Sequence, residues 1–143
     1  MTDLDNAIIF ATNAHAGQLD KAGLPYILHP LRVMASLKDS SEDILVAAVL
    51  HDVMEDCGVS CNDLFIAGFS MRVISAVFSL SRRPGEDYLS EFIPRCGLNE
   101  IARKVKIADI NDNALPWRVA MIPPNIPRGL RYAKAVNYLE RYR

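Results

Sequence analysis

The chain has 143 residues, of which 50% are hydrophobic and 23% charged, and its formal net charge is -1. This is the balance of an ordinary soluble globular protein, with enough chain for one sizeable core and too little for two domains. There is no bulk basic charge to attract nucleic acid, and no apolar run approaches the roughly 20 residues of a membrane span.

Residues 3–15 place Leu4, Ala7, Ile8, Ala11 and Ala14 at helical spacing, which predicts an amphipathic helix ending near His15 and Gly17. His15 follows that stripe and reads as a packed or capping histidine. Residues 16–29 carry two glycines and a proline and predict a loop returning to an apolar segment. His29 stands directly before Pro30, whose fixed φ suits the first turn of a helix predicted over 31–37. Alone, it reads as simple packing.

After a polar break at 38–43, the run from Ile44 to Leu50 is apolar without interruption, which predicts a helix buried on every side. The sequence continues straight into His51, Asp52, Glu55 and Asp56. At about 100° per residue, these four fall within an arc of roughly 140° on one helical face and look into a single cavity. An unpaired carboxylate there is costly to desolvate, so a divalent cation is the simplest partner. The alternative is a helix cap with a solvated acidic turn beyond it.

Cys57 and Cys61 stand four apart, but Cys96 is alone and no second pair completes a structural zinc site. Three cysteines and no signal-like N-terminus predict a reducing, cytoplasmic setting. Ser60 with Asp63 predicts a capped helix start. Leu64, Phe65, Ile66, Phe69, Val73, Ile74, Val77 and Phe78 then predict core positions on one or two helices broken near Gly68. Arg82-Arg83-Pro84-Gly85 is a basic turn, either solvated or lying over an anionic substrate. Tyr88, Phe92 and Ile93 give a further helical stripe up to Pro94 and Gly97.

A second unusual helix is predicted from Asn99 to Asn113. Its inner face is marked by Ile101, Val105 and Ala108, and Asp109 lies about 40° from Val105 and about 80° from Ile101. An acid on that stripe repeats the anomaly at Asp52, and one ion could resolve both. Residues 115–127 hold four prolines and a tryptophan and predict irregular chain. A last helix is marked by Leu130, Ala133, Val136, Asn137 and Leu139, with Arg128, Arg131 and Lys134 on an exposed side.

Three separated motifs carry a resemblance. They are Gln18 to Pro30, with its Gly-Gln, Lys-Ala-Gly and Pro-Tyr-Ile-Leu-His-Pro elements, then His51-Asp52-Val-Met-Glu55-Asp56, and Lys106-Ile-Ala-Asp109 followed by Asn113. Together they resemble the hydrolase domain of the RelA/SpoT type, a branch of the HD-domain metal-dependent phosphohydrolases that removes the 3′-pyrophosphate from (p)ppGpp. The resemblance spans roughly residues 4–115 and implies an all-α, single compact helical bundle with a central buried helix.

It further implies that His29, His51, Asp52 and Asp109 are metal ligands and that Glu55 and Asp56 are the catalytic acidic pair. Lys21 is implied as a cation of the nucleotide pocket and Asn113 as a ribose contact, and Lys106, Arg82 or Arg83 would take up phosphoryl charge. The expected cofactor is Mn²⁺ or another divalent cation, which suits two imidazoles and two carboxylates. The expected partner is a small nucleotide substrate.

Two departures stand out. Asp20 replaces the arginine that in the family stacks on guanine, and Asn111-Asp112 replaces a Leu-His pair. Two rival readings follow: an HD phosphohydrolase acting on another nucleotide or a phosphomonoester, and a nucleotide-binding module without turnover.

Overall fold

The central helix α3 (Glu42–Leu50) buries Ile44 and every residue from Val46 to Leu50, because a segment with no polar face is stable only when surrounded. In this computed structural model, which describes residues 1–121 and 129–142, four helices do the surrounding. They are α1 (Asp3–Ala14), α2 (Leu28–Ser36), α6 (Met71–Leu80) and α8 (Glu100–Asn113), each packed directly against α3. Two short helices, α4 (Val53–Cys57) and α5 (Cys61–Ile66), lead from α3 towards α6. A π-helical turn over Tyr88–Phe92 runs into α7 (Ile93–Gly97), and α9 (Pro116–Val119) and α10 (Gly129–Leu139) complete the described chain. The described residues form no sheet. An isolated bridge between Leu19 and Pro25 closes the loop ahead of α2.

Helix starts follow local chemistry. Thr2 with Asp5 and Ser60 with Asp63 form reciprocal capping boxes at α1 and α5, while the Asn99 side chain accepts from the Ala102 N–H at α8. Each cap satisfies a backbone donor that the helix itself leaves orphaned. At Gly97 a Cβ would fall 2.7 Å from the Tyr142 ring, so only glycine lets the C-terminal residues close over α7.

The structure corrects four expectations. The helix entering at Ile44 does not run on through Asp56. It breaks at His51 and Asp52, where Asp52 has φ -103° and ψ -3°. The His51 Nδ1–H donates to the Ala48 carbonyl at 2.7 Å, the acceptor that the next helical turn would have used.

Phe65, Ile66 and Phe78 are 61%, 75% and 45% exposed and do not join the core. Helix α5 has six residues and turns Leu64 inward, so its neighbours face out, and Phe78 is covered by the Arg83 guanidinium at 5.0 Å. The 115–127 segment is not wholly irregular, because Pro116 opens the short α9 at a position where its missing N–H costs nothing. Residues 122–128, including the rest of that proline-rich stretch and Arg128, lie outside the described residues. Arg131 is not simply exposed; it is half-buried, with its guanidinium 4.1 Å from the Tyr88 ring centre.

Candidate metal centre

His29 enters from the first turn of α2, where Pro30 follows it, and is buried with 2% exposure. His51 and Asp52 occupy the break between α3 and α4, and Asp109 lies on the buried face of α8 at 4% exposure. These three segments bring four donor atoms together. His29 Nε2 lies 2.8 Å from Asp109 Oδ1 and 3.7 Å from Asp52 Oδ2. His51 Nε2 lies 3.0 Å from Asp52 Oδ2 and 3.3 Å from Asp109 Oδ1.

His51 has one tautomer open to it when neutral, because its Nδ1 faces a carbonyl, which only accepts. Its Nδ1 therefore carries hydrogen, and its bare Nε2 lone pair points at carboxylate oxygens. His29 Nδ1 faces both Asp112 Oδ2 at 2.6 Å and the Arg118 Nη1 donor at 3.1 Å; with hydrogen on Nδ1 towards Asp112, its Nε2 lone pair also points at carboxylate oxygens. Four electron-rich atoms cannot share one buried space unless a positive charge sits among them.

Ligands at about 2.0–2.2 Å from a common ion sit about 3.0–3.5 Å from one another, and the four distances here run from 2.8 to 3.7 Å around that range. Ligand atoms of His29, His51 and Asp52 all lie within 4.8 Å of one another, and Asp109 joins them through both imidazoles. The mixed nitrogen and oxygen set fits a borderline-hard divalent cation.

The titration behaviour of the residues agrees with this picture. Burial lowers the imidazolium pKa of His51, but the Asp52 and Asp109 carboxylates outweigh it and raise His51 well above its ordinary value. His29 is raised in the same way, by Asp109 and Asp112 against burial. Burial alone would raise Asp52, yet the facing His51 holds it at about 2. Asp109 is held far lower than a free carboxylate, mainly by Lys106 and His51.

A layer of supporting groups orients these four. The Tyr26 hydroxyl donates to Asp52 Oδ2 at 2.6 Å. Lys106 Nζ donates to Asp109 Oδ2 at 2.8 Å, and Asn113 Nδ2 donates to Asp109 Oδ1 at 3.2 Å. Asp112, buried behind His29, also accepts from Arg32 Nε at 3.0 Å and Arg118 Nη1 at 2.6 Å.

Sequence reasoning did not single out Tyr26 or Arg118; it named Asp112 only as a departure from the family pattern and set Arg131 on an exposed side. Asp112 was within reach of it, since it lies three residues from Asp109 and so on a neighbouring part of the same helical face. Nothing local marks the other three.

The remaining expected residues line two adjoining cavities. A space of about 240 Å³ beside the four donors is bounded by Glu55, Asp56, Arg82, Lys106 and Arg131. It shares Tyr26, Asp56 and Asn113 with a cavity of about 620 Å³ that Lys21 and Arg118 also line. Burial raises the Glu55 carboxyl, helped by Asp52, and burial and Asp52 do the same to Asp56.

Arg82 reaches the smaller cavity but spends its guanidinium on the Glu86 carbonyl. Arg83 sits over Phe78 instead. Asp20 does not aim its charge into the larger cavity unopposed, because its Oδ1 accepts the Ala22 and Leu24 N–H groups at 2.9 Å each.

Residues 7–83, more than half of the chain, match the HD-domain family. The chain belongs to that family. The matched stretch contains His29 and the His51-Asp52 doublet. A guanosine-3′,5′-bis(diphosphate) 3′-pyrophosphohydrolase from Vibrio cholerae serotype O1 is 41% identical over 81 residues, covering 55% of this chain and 11% of that relative. One of the same description from Aquifex aeolicus is 33% identical over 91 residues, covering 62% of this chain and 13% of its own length.

The matched stretches of this HD domain span 8% to 13% of the length of the curated relatives they match. The solved structure of a metazoan ortholog of SpoT, described as hydrolysing ppGpp, superposes with a TM-score of 0.80 over 99% of this chain and 86% of that one. At 24% identity it establishes the all-helical fold.

Proposed function

We propose that this HD domain is a divalent-cation-dependent hydrolase that removes pyrophosphate from the 3′ position of guanosine 3′,5′-bis(diphosphate), with Mn²⁺ as the working ion. The observation that carries the reading is the convergence of His29, His51, Asp52 and Asp109 on one charge-deficient point, joined to two cavities of nucleotide scale. The names of the curated relatives supply the substrate.

In the proposed reaction, water oxygen bonds to the phosphorus attached to ribose O3′, the O3′–P bond breaks, and GDP and pyrophosphate leave. A bound divalent cation supplies Lewis acidity, making a nucleophile available from water at neutral pH and offsetting phosphoryl charge. His29, His51, Asp52 and Asp109 would hold it. Glu55 and Asp56 accept the proton of the attacking water and return one to O3′, and burial suits them to this by raising both pKa values towards neutrality.

Lys106 is anchored to Asp109 and faces the small cavity, where its ammonium and the Arg131 guanidinium stabilise charge on the departing pyrophosphate. Lys21 and Asn113 bind the nucleoside side. Single-domain organisation and a cytoplasmic location belong to the same proposal. The second rests on three unpaired cysteines, and no helix among the described residues is long and apolar enough to cross a membrane.

The test is release of pyrophosphate from ppGpp by Mn²⁺-loaded protein, beside a panel of other nucleotides and phosphomonoesters. Wild type should be active on ppGpp and Asp52→Ala should lose at least about 10³-fold. Equal turnover by the two proteins, or turnover only of another panel member, would overturn the reading.

A further inference from the structure

We propose that Arg118 is the residue that reads the nucleobase, and that it selects guanine over adenine in the 620 Å³ cavity. This rests on the nucleotide-hydrolase reading above and adds to it a determinant of substrate choice.

The two adjoining cavities differ in what lines them. The smaller one, beside the four metal-site donors, carries Arg82, Lys106 and Arg131 together with the carboxylates of Asp52, Glu55, Asp56 and Asp109. The larger one sets two cations, Lys21 and Arg118, against two carboxylates, Asp20 and Asp56, with Leu19, Ala22 and Tyr26 as its apolar walls. The phosphorus that is attacked must lie beside the cation position, which borders the smaller cavity and where Lys106 and Arg131 also stand. A flat, uncharged ring with a polar edge belongs in a slot whose charges balance and whose walls are apolar. The nucleotide therefore lies with its phosphates towards Lys106 and its base towards Arg118.

Arg118 is held for this role. Its side chain is 13% exposed, and Nη1 donates to Asp112 Oδ2 at 2.6 Å and to Asn113 Oδ1 at 2.9 Å. Among the described residues no hydrogen bond uses Nε or Nη2, so two donors of the planar fork remain for a ligand. A side-by-side pair of N–H donors matches the O6 and N7 acceptors of guanine. Adenine presents an amino donor in place of O6 and would leave one arginine donor facing another. The family's base-stacking arginine is absent here, because position 20 is an aspartate committed to the Ala22 and Leu24 amides. Arg118, from α9, is the guanidinium that the cavity does contain.

Arg118 also steadies Asp112 and thereby His29, so its loss could lower activity for a purely structural reason. Base preference separates the two effects. Damage to His29 lowers turnover of every nucleotide alike, whereas loss of base reading changes the ratio between them. The experiment compares kcat/KM for guanosine and adenosine 3′,5′-bis(diphosphate) in wild type, Arg118→Lys, Arg118→Gln and Asp52→Asn. Equilibrium binding of GDP and ADP to each protein is measured alongside.

Wild type should prefer guanine in both assays. Arg118→Lys, which keeps the charge beside Asp112 but loses the fork, should cut that preference about tenfold. Arg118→Gln should cut it at least as far, and Asp52→Asn, which alters the donor set without touching Arg118, should lower both substrates while keeping their ratio. An unchanged ratio in both Arg118 variants, or equal binding of GDP and ADP by wild type, overturns the inference. If wild type hydrolyses neither nucleotide, the proposed function fails, and the GDP and ADP binding arm still decides the role of Arg118.

Discussion

Asp112 bears on the candidate metal site through its hydrogen bond to His29, without itself lying among the four donors. At 2.6 Å from His29 Nδ1, the carboxylate fixes the ring orientation and makes Nε2 a better donor. Asp112→Asn should therefore weaken Mn²⁺ affinity by about 10- to 100-fold, read by calorimetric titration, with helical content unchanged.

The same residues set a pH dependence for the chelated protein. His29 and His51 titrate above their ordinary 6.5, so the stability they contribute is fully present below that value and is lost as pH rises through the raised one. Asp52 and Asp109 titrate below their ordinary 3.8, so their contribution is present above that value and is lost as pH falls through the lowered one. The chelated protein should be most stable between roughly pH 4 and 6.5. Its Tm should decline on the alkaline side, and Mn²⁺ should abolish that decline by taking the place of the protons. A chelated Tm that climbs steadily from pH 7 to 9 would contradict this account.

At the scale of elements, the short α4 carries both proposed proton-transfer groups, and its length is set at each end by a backbone feature. It starts at the His51-Asp52 break and stops at Gly58, whose φ is +68°. Nothing lies within 4 Å of a Cβ built at Gly58, so Gly58→Ala should cost only the left-handed backbone strain of about 1–2 kcal/mol. Thermal unfolding should show a Tm lower by a few degrees, with kcat falling because Glu55 and Asp56 lose their fixed placement.

Element boundaries set by local chemistry were legible in the sequence: the Ser60 cap, the two-helix split near Gly68 and the Asn99 start all appear in the fold. The break after Leu50 was not. It depends on the His51 ring capturing the Ala48 carbonyl, and a helical wheel assumes an unbroken backbone. Arg131 was misjudged for a related reason, since its spacing on α10 gives no sign that the aromatic face of Tyr88 lies against it.

For the whole molecule, the core and the metal site are one mechanical unit. Leu50 is fully buried and precedes His51 directly, so Leu50→Ala should cost about 2–5 kcal/mol of stability and lower Mn²⁺ affinity together. Conversely, a cation at about 100 times its Kd should stabilise the fold by about 2.7 kcal/mol, raising Tm by about 5–10 °C. Differential scanning calorimetry should show that rise in wild type and not in Asp109→Ala.

The sequence by itself determined most of the helical segments, which helix is innermost, and that His51, Asp52 and Asp109 are polar groups stranded on apolar faces. Those follow from periodicity and from the cost of burying charge, both of which act along a single segment. Tertiary structure alone decided that His29 meets them, that Asp112 and Arg118 stand behind it, and that one cavity borders the four donors while its neighbour has Leu19, Ala22 and Tyr26 as apolar walls. Those facts depend on atoms brought within 4 Å from residues as many as 89 apart in the chain, a proximity that only the packing of α2, α3, α8 and α9 creates.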